Sequence, residues 1–146
     1  MTLVAMAACS SSVTMPDRTT PEIASDEVVT TDGQLRFLVG DNPAQGGMMF
    51  IAGTVVGEQG RVVVTSTRYG SVCATNVTAH ADVATGKITL AVKYSARLAI
   101  CTAELRAITY RAEISALPAG TYDVDVVNTN ADGTTNTVLT QRVNVT

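Results

Sequence analysis

The chain has 146 residues, a formal net charge of −3, no tryptophan and a single histidine. Lys and Arg never cluster, which excludes the phosphate-neutralising patch that a nucleic-acid surface requires. Val, Thr, Ala and Gly dominate; β-branched residues lose less rotamer freedom in a pleated strand than in a helix, so this is an all-β composition sized for one domain and one core.

The N-terminal run Met1–Ala8 is apolar and ends in two small residues before Cys9, which is followed by Ser10, Ser11 and Ser12. An apolar stretch, small residues and a cysteine ahead of a polar Ser/Thr/Pro tract resemble the lipobox of bacterial lipoproteins. The resemblance implies that Cys9 is lipidated and becomes the first residue of the mature chain. Residues 1–9 then form a truncated signal segment, with Met1 lying inside the apolar region of a longer signal peptide. Ser10 in place of Asp implies sorting to an outer membrane, facing the periplasm or the cell surface. No apolar run reaches the roughly 18 residues of a spanning helix, so a lipid would be the only hold on the membrane. Residues 10–27 carry Ser, Thr, Pro16, Pro21 and scattered charge. Such a segment buries too little apolar surface to offset its ordering entropy and reads as a tether.

From residue 28 onward the pattern is that of short strands. Leu35–Val39 reads as a short edge strand. Met49–Val56 and Arg61–Thr67 flank Gly57–Gly60 as a hairpin. The clearest local signal is Val77–Val83, then Ala84-Thr85-Gly86, then Lys87–Tyr94, both runs alternating with period two. A Thr85-Gly86 turn sets Val83 opposite Ile88, Ala81 opposite Leu90, Ala79 opposite Val92 and Val77 opposite Tyr94, all on one face. A slip of one residue would turn that apolar set into water, so the register is specified. Thr78, His80 and Asp82 fall on the other face, with Thr89, Ala91 and Lys93. Ala107–Ile114 follows with Ile108, Tyr110, Ala112 and Ile114 inward and Thr109, Arg111 and Glu113 outward. Pro118 and Gly120 interrupt the pattern. Thr121–Val127 turns Tyr122, Val124 and Val126 inward, and Val138–Val145 returns as its hairpin partner across a polar loop at 128–136.

Short strands separated by turns every 8–12 residues are the mark of a β-sandwich. The stretch Leu117–Val124 resembles the tyrosine-corner region of immunoglobulin-like and fibronectin-III-like domains, with Tyr122 at the corner position. That resemblance implies an immunoglobulin-like antiparallel β-sandwich of about seven strands over residues 28–146, with the Tyr122 hydroxyl bonded back across its turn. The chain departs from antibody-type domains in lacking the core tryptophan and in the placement of its cysteines.

With Cys9 assigned to the lipid, Cys73 and Cys101 remain as a pair, and an exported protein meets an oxidising compartment. Both positions read as loop ends, so a disulfide pinning two loops at one end of the sandwich is expected; the alternative is two buried thiols. Closing a loop of roughly 30 residues would contribute about 3–4 kcal/mol.

Chemistry-bearing motifs are few. His80 shares a sheet face with Asp82, a pairing able to act in acid–base chemistry, but no nucleophile is placed beside it and an exposed histidine accounts for it equally well. Asp123 and Asp125 lie outward on one strand, and Asp132 sits in Asn130–Gly133. Oxygen-rich loops of this kind can hold Ca²⁺, yet ordinary turn chemistry explains Asn, Asp and Gly as well. Arg142 is the expected partner of Asp123 or Asp125. Asn76-Val77-Thr78 and Asn144-Val145-Thr146 match the glycosylation sequon, which carries no meaning in a bacterial lipoprotein.

The expected function is a non-catalytic, lipid-anchored binding or structural module of a bacterial cell envelope. No catalytic residue, metal or cofactor is assigned, and the expected partner is an envelope protein or polysaccharide. Arg68, Tyr69 and Arg97, near the cysteine end, are the candidate binding surface, since Arg and Tyr are enriched at interfaces. Two other readings compete. One is an inhibitor of a secreted hydrolase presenting disulfide-stiffened loops. The other is an accessory subunit of an envelope assembly, docking by β-augmentation along Leu35–Val39.

Overall fold

The structure, a computed structural model, describes residues 27–43, 53–70, 75–96 and 106–146. Nine strands and no helix occur among the described residues: β1 (Glu27–Asp32), β2 (Leu35–Pro43), β3 (Gly53–Glu58), β4 (Arg61–Gly70), β5 (Thr75–Ala84), β6 (Lys87–Ala96), β7 (Arg106–Ile114), β8 (Gly120–Thr129) and β9 (Thr135–Val145). They form two sheets, one in the order β1-β2-β7-β4-β3 and one in the order β5-β6-β8-β9. The all-β sandwich is therefore as expected, with nine strands instead of about seven.

The β5–β6 hairpin has the register that its alternation specifies, with Val83, Ala81, Ala79 and Val77 opposite Ile88, Leu90, Val92 and Tyr94. Their apolar face closes on the other sheet. Ile88, Leu90, Val92 and Tyr94 are buried there with Phe37, Val62, Val64, Tyr110, Ile114, Val124 and Val126 in one core. Val83, at the hairpin tip, stays 37% exposed.

Three expectations are corrected. Leu35–Val39 is not an edge: it belongs to β2, which pairs with β1 on one side and β7 on the other. The chain supplies β1, whose short run Glu27–Asp32 lacks a sustained alternation, as the true edge. Second, one pair is not antiparallel, because β6 and β8 run parallel. Between them the chain crosses to the other sheet as β7, and one crossing strand returns it in its original direction. Third, Thr109 points outward yet is 2% exposed. Strand β7 has neighbours on both sides, and the Thr67 hydroxyl lies 3.0 Å from the Thr109 hydroxyl across the β4–β7 pair.

The β7–β8 connection is held by the bond that the corner resemblance implies. The Tyr122 hydroxyl donates to the Pro118 carbonyl at 3.0 Å. Leu117 is buried and its amide donates to the Gly60 carbonyl at 3.0 Å.

The two sheets also touch along an edge. Strand β3 lies against β9: the Gly60 amide donates to the Thr146 carbonyl at 3.0 Å, and the Gln141 side-chain amide to the Val55 carbonyl at 3.0 Å. Gly57 makes this approach possible. A Cβ there would lie 2.8 Å from the carbonyl carbon of Asn144 and closer still to its oxygen, inside van der Waals contact.

Candidate functional site

Strand direction sorts the connections between two ends. At one end the chain reverses through Gly33-Gln34, Gln59-Gly60, Thr85-Gly86 and the short 115–119 segment. At the other end lie the strand termini that flank 44–52, 71–74, 97–105 and 130–134, and β1 begins there as well. The second end is the candidate site.

Arg68 is the central side chain beneath it. Alternation along β4 turns Val62, Val64, Ser66 and Arg68 inward, so the guanidinium enters the space between the sheets at the open end. Its Nη1 donates to the Asn130 side-chain oxygen at 2.7 Å, and its central carbon lies 4.5 Å from the centroid of the Tyr94 ring. One residue of β4 thus holds both β6 and the β8–β9 loop of the opposite sheet, through a charge-assisted hydrogen bond and a cation–π contact.

The loop it grips is internally bonded. The Asn130 side-chain amide donates to the Thr134 hydroxyl at 2.9 Å. Asp132 accepts from the Thr134 amide at 2.9 Å and from its hydroxyl at 2.6 Å. These bonds hold the Asp132 carboxyl below the usual carboxylate range. The turn-chemistry reading of Asn130–Gly133 describes what these side chains do.

Deeper in, Tyr94, Tyr110 and Asn128 are each at least nine-tenths buried, and Tyr94 Oη and Asn128 Oδ1 have no hydrogen-bond partner among the described residues. Burial pushes both phenols upward; Tyr110 adds to the rise at Tyr94 while Arg68 opposes it, and a hydrogen bond with Ser66 opposes the rise at Tyr110. Tyr110 also packs its ring 5.3 Å from that of Phe37. The sequence places Tyr94 and Tyr110 inward but Asn128 in the polar loop. The signal was available: Asn128 shares the inward parity of Val124 and Val126, as Arg68 shares that of Val62 and Val64.

The candidate surface of Arg68, Tyr69 and Arg97 is not assembled as one patch by the described strands. Arg68 faces inward and Tyr69, the next residue, takes the opposite face of β4. Arg97, Cys73 and Cys101 lie outside the described residues, as does Cys9.

The outer face of the second sheet carries the charged row that alternation foresees. Arg142 grips Asp123 with two bonds, Nε to Oδ1 at 2.6 Å and Nη2 to Oδ2 at 3.0 Å. That fork lowers the Asp123 pKa. Asp125 accepts from the Thr140 hydroxyl at 2.8 Å and pairs with Lys87 at 3.1 Å, and both lower its pKa. His80 is exposed on this face, its Nε2 3.3 Å from Asp82 Oδ1.

At the short-turn end a groove of about 540 Å³ runs between Val83–Gly86 and Pro118–Tyr122. Its walls are mostly apolar, and no charged side chain lines it. Among the described residues no helix is long and apolar enough to cross a membrane. Compared with protein-family models, with curated proteins and with solved structures, the chain matches none.

Proposed function

We propose that this chain is a lipid-anchored, non-catalytic module of a bacterial cell envelope, its Cys9 carrying the lipid and its long connections forming the binding end. The observation that carries the reading is the segregation of the two ends. Rigid sheets end on one side in three two-residue turns and the 115–119 segment, and on the other in connections that include the nine-residue segments 44–52 and 97–105, the arrangement by which sandwiches present recognition loops. Arg68, locked between Tyr94 and Asn130, stiffens that end from below, and a loop ordered before binding loses less entropy when it binds.

The same reading includes a Cys73–Cys101 disulfide. Its support is the pairing of the strand ends that flank the two segments. Gly70 is the partner of Arg106, and Thr75 is the partner of Ala96. The described strands therefore set the residues flanking 71–74 beside the residues flanking 97–105. Strand β1 also begins at this end, so an anchor on Cys9 would tie the binding end toward the membrane. The chain from Cys9 to Glu27 spans at most about 60 Å when fully extended.

Intact mass tests both parts, on chain made in a bacterium with its upstream coding sequence restored. The expected product begins at Cys9 with a diacylglycerol and an N-acyl group and gains two hydrogens on reduction. Unmodified chain with three free thiols would refute both the anchor and the bridge. Lipidated chain with two free thiols would refute the bridge alone.

A further inference from the structure

Among the described strands the sandwich has four edges, and three of them are broken by a bulge or closed by hydrogen bonds to a neighbour. Natural edges are blunted by bulges, charged side chains and proline, short length or cover from a neighbouring element. Strand β1 has a register break between Val28 and Thr30. Strand β3 is six residues long, includes Gly53 and Gly57, and is covered by β9. Strand β9 has a register break where it passes Val126 and Val127, and its final residues are held by β3. Strand β5 approaches β1 and β2 of the opposite sheet, but among the described residues no bulge, glycine or proline interrupts its free edge. Its ten residues Thr75–Ala84 pair with β6 in unbroken register and contain no Gly, Pro or Lys.

We propose that β5 is a self-association edge, pairing antiparallel with β5 of a second copy about a two-fold axis at Ala81. The occupant follows from charge complementarity along the strand. With Ala81 on the axis, His80 of each copy faces Asp82 of the other, giving two reciprocal imidazole–carboxylate pairs on the outer face. On the inner face Ala79 meets Val83 of the other copy, twice, which covers the one core-facing side chain of this hairpin left 37% exposed. Neighbouring registers of the same parity fail. An axis at His80 sets histidine on histidine, and an axis at Asp82 sets carboxylate on carboxylate. Because the axis stands perpendicular to the sheet, the inner faces stay on one side and the four-stranded sheet continues as eight strands. The contact His80 already makes with Asp82 of its own chain is compatible with this pairing.

The test is sedimentation equilibrium of the full chain up to about 1 mM, with His80→Asp and the exchange variant His80→Asp/Asp82→His. Both substituted side chains, His80 and Asp82, stand on the exposed outer face, and thermal unfolding confirms that each variant folds. Wild type is expected to form a dimer. His80→Asp sets aspartate against aspartate twice and raises the dissociation constant roughly tenfold or more, since like charges directly opposite destabilise a strand pair. The exchange variant restores both pairs and returns the constant to near the wild-type value. A wild type monomeric throughout, a dimer indifferent to His80→Asp, or no recovery in the exchange variant would each overturn the proposal. None of these readings depends on the lipid anchor.

Discussion

Replacing Gly57 by alanine tests how closely the two sheets are held. The added methyl would sit 2.8 Å from the Asn144 carbonyl carbon and 3.3 Å from its amide nitrogen, with the carbonyl oxygen closer than either. These are backbone atoms of β9, so no side-chain rotation relieves the overlap. Reaching ordinary contact requires β3 and β9 to part by on the order of 1 Å. That displacement stretches the Gly60–Thr146 and Gln141–Val55 bonds, each 3.0 Å, and the Thr146–Glu58 bond, already 3.4 Å. Three bonds at about 1 kcal/mol each, less about 0.5–1 kcal/mol returned by the stiffer unfolded chain, leave a loss of about 2–3 kcal/mol. Urea titration followed by far-ultraviolet circular dichroism measures it, and in thermal scans the midpoint should fall by roughly 10 °C. Gly60→Ala is the internal control: that residue has φ +65° and nothing within 4 Å of an added Cβ. It pays only the left-handed backbone cost, about 1 kcal/mol. A loss at Gly57 no larger than at Gly60 would refute the close approach.

Removing a tyrosine hydroxyl should act with opposite sign at two positions. Tyr122→Phe deletes the bond to Pro118 and should cost about 1 kcal/mol in chemical denaturation, whereas Tyr94→Phe removes a buried group with no partner and should be neutral or stabilising. Arg68→Met keeps the stem but loses the Asn130 bond and the cation–π contact; about 1–2 kcal/mol should disappear, with faster amide exchange confined at first to residues 130–134. Tyr94 and Tyr110 have pKa values raised in the folded state, so the unfolded chain releases these protons first and stability falls as pH rises above about 10. The slope should approach about 1.4 kcal/mol per pH unit per tyrosine, and absorbance at alkaline pH should show Tyr94 and Tyr110 ionising only on unfolding. Full ionisation of all four while circular dichroism stays native would contradict their burial.

Much of the second sheet was legible in the chain. The β5–β6 register follows from a two-residue turn between alternating runs, and the inward sets of β7 and β8 follow from the same period, because pleating fixes which side chains share a face. The Asp123–Arg142 pair was equally local, lying across one hairpin. The polar loop is shorter than the expected 128–136: Asn128, Thr129, Thr135 and Asn136 continue the ladder, since backbone pairing does not depend on side-chain polarity.

What alternation alone cannot carry is neighbourhood. Period two says that Leu35–Val39 is extended, and says nothing about β1 joining its free side. It turns Thr109 outward without revealing that neighbours on both sides bury it. It places Arg68 inward, but the Tyr94 ring and the Asn130 oxygen that receive it come from the opposite sheet. Gly57 reads as a turn residue until β9 is laid against it. Local patterning therefore determined the strands and their faces, while only the tertiary structure decided which strands meet, because the partners in those contacts lie far apart along the chain and share no local sequence pattern.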